Sequence, residues 1–176
     1  VAFAPEAGTP MVSDPGFQLA RAAIEAGYPI VAAPGASALL TALAVGGLPT
    51  DRFCFMGFAP SQGAARKRFL AESAMIPATL AFYESPKRIH RMLGEVAETL
   101  GDDRDCALCR ELTKRFEEVV RGTVAEVRAA IEGRGVQFCL LLNGMKPSDP
   151  AVDPRAVDML RAMSDQAEDS GAQLLL

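Results

Sequence analysis

The chain has 176 residues, 49% of them apolar, and a formal net charge of −4 with a single histidine. That composition excludes intrinsic disorder and allows a buried core, while no apolar run approaches the roughly 20 residues that a membrane-spanning helix needs. The net acidity excludes a generic polyanion coat, and the opening Val1-Ala2-Phe3-Ala4-Pro5-Glu6 is not a basic and apolar export signal, so a soluble cytoplasmic protein is expected.

Val1–Ala4 reads as a short strand, which Pro5 to Pro10 cannot continue because proline and glycine break a ladder. Ser13-Asp14-Pro15-Gly16 reads as a helix start with Ser13 as cap, and Phe17, Leu19, Ala20, Ala23 and Ile24 as the inward face before Gly27 ends it. Ile30–Ala33 is expected to form a second strand. Pro34-Gly35-Ala36-Ser37 then turns into an element carrying Leu39, Leu40 and Leu43, stopped by Gly46-Gly47-Leu48-Pro49. Strands alternating with alanine-rich helices are the pattern of a mostly parallel sheet. Residues 1–52 hold too few elements to cover both faces of such a sheet, so the chain reads as the body of a longer protein whose front is missing.

Residues 53–60 read as a strand entering a second domain, with the boundary near Arg52. The pattern beyond predicts a basic helix over Gly63–Met75, a strand over Thr79–Tyr83, a helix over Pro86–Leu100 and a strand over Asp105–Arg110. A strand-and-turn region through Gly122, a helix over Val124–Glu132 and a strand over Val136–Leu142 follow. Residues 53–146 thus make a mixed α/β domain, and 147–176 a linker and partial tail. Cys54, Cys106, Cys109 and Cys139 lie in apolar surroundings without paired Cys/His spacing. They read as reduced thiols, and no metal site is expected.

The charge is unevenly spread: residues 1–50 carry one basic and three acidic groups, residues 51–146 carry 15 and 13, and residues 147–176 carry two and six. The basic middle holds three clusters, Arg66-Lys67-Arg68, Lys87-Arg88 with Arg91, and Arg110 with Lys114-Arg115. Each is either solvated helix surface or a contact for a polyanion, and convergence in space separates the two.

Glu6–Pro10 and Pro34–Ser37 both follow predicted parallel strands, at the edge where open α/β sheets bind ligands. Glycine lets a ligand approach the backbone, and a helix starting within two residues offers free N–H groups. Neither loop is GxGxxG or a P-loop. Spacing alone therefore gives a crevice for an anion or nucleoside, or simply a structural turn.

The string Ala7-Gly8-Thr9-Pro10-Met11-Val12-Ser13-Asp14-Pro15-Gly16 resembles the signature loop of the ribosomal RNA methyltransferase I family, within the tetrapyrrole-methylase superfamily. Further blocks agree in order: Pro34-Gly35-Ala36-Ser37-Ala38 with Thr41-Ala42-Leu43, Gly47-Leu48-Pro49-Thr50-Asp51-Arg52-Phe53, and Gly57-Phe58-Ala59-Pro60. Phe82-Tyr83-Glu84-Ser85-Pro86 with Arg88, and Arg110-Glu111-Leu112-Thr113-Lys114 with Glu117-Glu118, complete the set. The chain departs from the family at Pro5-Glu6, where Ser-Asp is usual, and at Lys87, often a histidine.

The resemblance implies a two-domain α/β tetrapyrrole-methylase-like fold with a mostly parallel N-terminal sheet, binding S-adenosylmethionine in the cleft between its halves. It also implies a homodimer that methylates the ribose 2′-hydroxyl of a cytidine in the decoding region of 16S rRNA, in the 30S subunit. Ala7, Gly8, Thr9, Pro10, Pro34, Gly35, Ala36, Ser37, Tyr83 and Glu84 are the expected cofactor contacts, with Phe82 or Tyr83 against adenine.

Transfer of methyl from a sulfonium needs alignment and exclusion of water, and a ribose hydroxyl benefits from a base or a nearby cation. Arg110, Glu111 and Lys114 supply that combination. Glu111 or Lys114 is expected to help deprotonate the hydroxyl while Arg110 holds phosphate; the alternative is an Arg110–Glu111 ion pair bracing the cleft. His90 reads as surface, and Phe53, Phe55 and Phe58 as core more than a base-stacking platform. Competing functions are a corrin or porphyrin-precursor methyltransferase, which shares fold and cofactor, and a non-catalytic RNA-binding module.

Overall fold

The computed structural model describes residues 2–132 and 138–144. In chain order the elements are α1 (Phe17–Glu25), α2 (Ala38–Gly46), β1 (Phe53–Phe58), α3 (Gly63–Ser73), β2 (Thr79–Glu84), α4 (Pro86–Leu100), β3 (Asp105–Arg110), β4 (Glu118–Thr123), α5 (Val124–Ala130) and β5 (Phe138–Leu142). The strands form one mixed sheet in the order β1-β2-β5-β3-β4. β1 and β2 pair parallel, and every other pairing is antiparallel. The α/β class expected from the sequence is the class observed.

Local chemistry explains most of these elements. β2 is apolar nearly throughout because it lies inside the sheet with both faces covered; Leu80, Ala81 and Phe82 are fully buried. In α4, Ile89, Met92, Leu93, Val96 and Leu100 recur at helical spacing and all are buried, after a proline at the first position. Each such side chain contributes about 1.5–3 kcal/mol on burial. α5 starts on a capping box: the Thr123 hydroxyl accepts from the Glu126 N–H, and the Glu126 carboxylate accepts from the Thr123 N–H.

Alternation along the strands divides the core in two. On one face, Leu80, Phe82, Cys106, Leu108, Leu140 and Leu142 pack under α3, α4 and α5. On the other, Ala81, Ala107, Cys109 and Leu141 pack against Leu39, Ala42 and Leu43 of α2. Gly46 closes α2 against the sheet, where a Cβ would come 2.4 Å from Leu141 Cδ1, and Gly47 ends the helix in the left-handed conformation at φ 75°.

The first forty residues depart from expectation in several respects. Residues 2–4 and 30–33 form no strand, because no described strand lies beside them to complete a ladder; Val1 lies outside the described residues. Ser13 does not cap α1: it sits at φ 58°, and the N-cap is Gly16 with no side-chain bond. The intended inward face of α1 is exposed at Phe17 (62%), Leu19 (56%) and Ile24 (63%), since a helix buries a face only against another element. Leu40 of α2 likewise points outward. The last predicted helix stops at Ala130, and residues 136–137 and 147–176 lie outside the described residues.

Candidate active site

β5 is antiparallel to both its neighbours, so β1, β2 and β3 all run in one direction and their C-terminal ends share an edge. There Phe58 stands beside Tyr83, Glu84 and Arg110 flank Phe138 from opposite sides, and Arg110 faces Glu118. Glu84 and Arg110 are two strand spacings apart, roughly 10 Å between backbones. Ligands of open α/β sheets bind outside such an edge.

The two glycine-containing loops meet. Thr9 Oγ1 donates to the Ala36 carbonyl at 3.2 Å and lies 3.5 Å from that of Gly35. Gly8 has φ 75°, and a Cβ there would lie 3.3 Å from Ala36 O; one on Gly35 would lie 3.7 Å from Thr9 Oγ1. Met11 (φ 69°) and Ser13 (φ 58°) adopt left-handed backbone without being glycine. The bend carries Ser13 to the end of β1, its Oγ 3.7 Å from where a Gly57 Cβ would stand. Ser37 is a true N-cap, its Oγ accepting from Leu40 N at 3.4 Å. Ala7, Gly8, Pro34, Gly35 and Ala36 are exposed, and Thr9, Pro10 and Ser37 half-buried.

Tyr83 stands on the α2 face of the sheet, with its ring edge-on to Phe55 (4.8 Å) and Phe58 (5.8 Å). Of the three phenylalanines read as core, Phe53 and Phe58 are exposed at the margin of the sheet and Phe55 is half-buried, because β1 is an edge strand. Phe82 is buried on the opposite face against Phe69, away from Tyr83. Glu84 is buried: its Oε1 accepts from Ser85 N at 2.7 Å, and Oε2 pairs with Arg88 Nη2 at 3.1 Å. Arg88 also donates to the carbonyls of Ala59 (2.5 Å) and Pro60 (3.2 Å), which ties the β1–α3 loop to the start of α4.

The turn after β3 carries Arg110, Glu111 and Lys114. Arg110 Nε lies 3.5 Å from Glu118 Oε2, and Lys114 Nζ lies 3.3 Å from Glu111 Oε1. The bracing Arg110–Glu111 pair of the alternative reading is therefore not formed, because each partner is taken by a different residue. Glu111 (φ 49°) and Thr113 (φ 65°) are left-handed, a conformation costly above all for β-branched threonine, of order 1–3 kcal/mol. The turn is over-determined: Lys114 N donates to Glu111 O (2.9 Å), Glu117 N to Lys114 O (3.1 Å) and Thr113 N to Glu117 Oε2 (2.5 Å). Leu112 packs into the cluster beneath α2. Among the described residues, every left-handed non-glycine lies in one of two segments, Met11–Ser13 and Glu111–Thr113.

The basic clusters have different fates. Arg66 is 2% exposed and pairs with Glu95 through both ends of its fork, Nε–Oε2 at 2.5 Å and Nη2–Oε1 at 2.8 Å. Its Nη1 donates to the carbonyls of Pro60 and Ser61, both at 3.0 Å. Lys67 pairs with Glu98 at 2.5 Å. Arg66 and Lys67 thus brace α3 to α4, whereas Arg68 is exposed and lies 3.8 Å from Glu72 on its own helix, a split that adjacency in sequence did not reveal. Lys87, His90 and Arg91 are exposed on α4. Burial pushes the thiols of Cys106 and Cys109 up to about 12 and about 11, so neither is a nucleophile or a ready metal ligand.

Residues 1–128 match the family model of the tetrapyrrole (corrin/porphyrin) methylases. The chain belongs to the tetrapyrrole methylase family. Within this family it is 50% identical over 122 residues to ribosomal RNA small subunit methyltransferase I of Mycobacterium tuberculosis, covering 69% of this chain and 43% of that protein. It is 43% identical over 149 residues to the protein of the same name from Halalkalibacterium halodurans, 82% and 50% of the two chains. This tetrapyrrole methylase chain thus spans about half the length of those relatives. Among solved structures, the methyltransferase CobJ superposes with a TM-score of 0.60 at 21% identity over 81% of this chain and 65% of that one. Uroporphyrin-III C-methyltransferase of Thermus thermophilus, complexed with S-adenyl homocysteine, gives 0.51 at 21% over 76% and 62%. At that identity they show the shared fold. No helix among the described residues is long and apolar enough to cross a membrane.

Proposed function

We propose that the protein is an S-adenosylmethionine-dependent methyltransferase that 2′-O-methylates the ribose of a cytidine in the decoding region of 16S rRNA, presented in the 30S subunit. The observation that carries this reading is the 50% identity over 122 residues to a ribosomal RNA small subunit methyltransferase I. It acts as a cytoplasmic homodimer and binds its cofactor between residues 1–52 and the domain that follows.

The residues at the shared edge fit S-adenosylmethionine. Glycines at 8 and 35 keep the two loops thin where they touch, leaving exposed backbone for a nucleoside or a carboxylate. Ala7–Pro10 and Pro34–Ser37 hold the cofactor, Tyr83 presents an aromatic face, and Glu84 fixes the strand end. The bound cofactor supplies a methyl group on a sulfonium. Bound there, it would give up that methyl to the ribose oxygen, the electrons of the C–S bond remaining on sulfur. Glu111 takes the hydroxyl proton, because the paired Lys114 is a cation without a lone pair and Glu111 is the acceptor. Lys114 stabilises the developing alkoxide, and Arg110 holds a neighbouring phosphate.

Replacement tests these roles in the whole protein. Glu111→Gln and Lys114→Met are expected to lower single-turnover methyl transfer by about 10²–10⁴-fold, the usual contribution of proton transfer, with cofactor affinity and melting temperature retained. Unchanged turnover in both variants would move the chemistry elsewhere.

A further inference from the structure

The Glu111–Glu117 turn holds two residues that the mechanism above does not use. Phe116 is 65% exposed, although an aromatic of its size is ordinarily buried, and the Arg115 guanidinium carbon lies 5.5 Å from the centre of its ring. Both line an open surface depression with Arg110, Glu117 and Glu118, which leaves the ring accessible from solvent. Arg110 is engaged with Glu118, whereas Arg115 makes no ion pair among the described residues.

We infer that Phe116 and Arg115 form a stacking platform for an unpaired nucleobase of single-stranded RNA beside the methylated nucleotide. The inference rests on the RNA-methylation reading and names how that site grips its substrate. Recognition of single-stranded RNA depends on splayed bases laid on aromatic rings and on guanidinium planes, and the Arg115 guanidinium over the Phe116 ring offers both in one stack. The platform is held in advance. Thr113 N is bonded to Glu117 Oε2, Leu112 is anchored in the core, and the left-handed residues Glu111 and Thr113 fix the path of the turn. Phe116 therefore stands exposed on a turn whose backbone path is held, two residues from Lys114. A protein or membrane partner would be expected to meet a wider apolar patch, but this ring is bordered by Arg110, Arg115, Glu117 and Glu118.

The test uses the whole protein and a short fluorescein-labelled single-stranded oligoribonucleotide followed by anisotropy. Phe116→Ala and Phe116→Leu should each weaken binding by roughly 5- to 100-fold, the effect of losing one stacked base, while Phe116→Trp binds like the parent. Arg115→Gln should weaken binding in the same direction, since its guanidinium plane is the other half of the platform. Cofactor affinity and melting temperature should stay at parental values in all four, because both side chains are exposed. Parental binding by Phe116→Ala or Phe116→Leu overturns the platform and leaves the methyltransferase reading standing. A parent protein that neither binds the oligonucleotide nor methylates ribosomal subunits overturns both.

Discussion

Glu95→Gln is the sharpest probe of how this domain is held together. The substitution keeps the shape and one acceptor oxygen but removes the negative charge facing Arg66, which remains 2% exposed. The carbonyls of Pro60 and Ser61, the remaining amide oxygen and the more distant charge of Glu84 are then left to compensate the cation. Breaking one side of a buried pair costs about 3–5 kcal/mol, and for a domain near 150 residues that lowers Tm by roughly 6–20 °C. The double replacement Arg66→Met with Glu95→Leu removes both charges. It should recover most of that loss but not all, because the two carbonyls lose their donor, at roughly 1–3 kcal/mol where they become buried and unbonded. Circular dichroism melts and urea titrations of the parent, Arg66→Met, Glu95→Leu and the double variant close the cycle, with Glu95→Gln measured beside them. A Tm for Glu95→Gln within about 3 °C of the parent would refute the reasoning.

The same pair predicts the acid limb of stability. The hydrogen bond from Arg66 holds the Glu95 carboxyl below its ordinary value of 4.5, against the opposing effect of burial. The folded state therefore binds fewer protons than the unfolded chain in that region. The contribution is complete above about 4.5 and is lost as pH falls towards the lower folded-state value; in Glu95→Gln this part of the acid dependence should vanish. Gly46→Val should destabilise by about 1–3 kcal/mol in urea, since even a Cβ would come 2.4 Å from Leu141 Cδ1, and a parental midpoint would contradict the packing of α2. Gly8→Ala, strained at φ 75° and crowded against Ala36 O, should weaken S-adenosylmethionine binding in calorimetry far more than it lowers Tm; an equal loss of both would make the loop a structural turn. Cys106 and Cys109 should escape iodoacetamide at pH 8 in the folded protein and react after denaturation, as read by peptide mass spectrometry, because burial raises both thiols.

The elements from Phe53 onward were legible because punctuation and periodicity agree there. Pro86 starts α4, and its apolar spacing runs unbroken to Leu100. The insertion of β5 between β2 and β3 was not legible, since strand order is a property of long-range pairing and leaves no local mark. That insertion brings Glu84 and Arg110 to one edge. Arg66 and Lys67 looked like surface charge because their partners Glu95 and Glu98 lie a full element away. Phe17, Leu19 and Ile24 did show a helical stripe, but a stripe says only that a helix has a face and not what covers it. The left-handed turn at Glu111 and Thr113 carried no glycine to announce it, so Arg115 entered only as one member of a basic cluster and Phe116 was not singled out.

Methyl transfer from labelled S-adenosylmethionine to 30S subunits lacking ribose methylation, catalysed by the whole protein, tests the central claim most directly. Label recovered on the 2′-oxygen of a decoding-region cytidine, and lost in Glu111→Gln, is the predicted result. Measurable cofactor binding with no label on the subunits, and label instead on a corrin or porphyrin precursor, would contradict it.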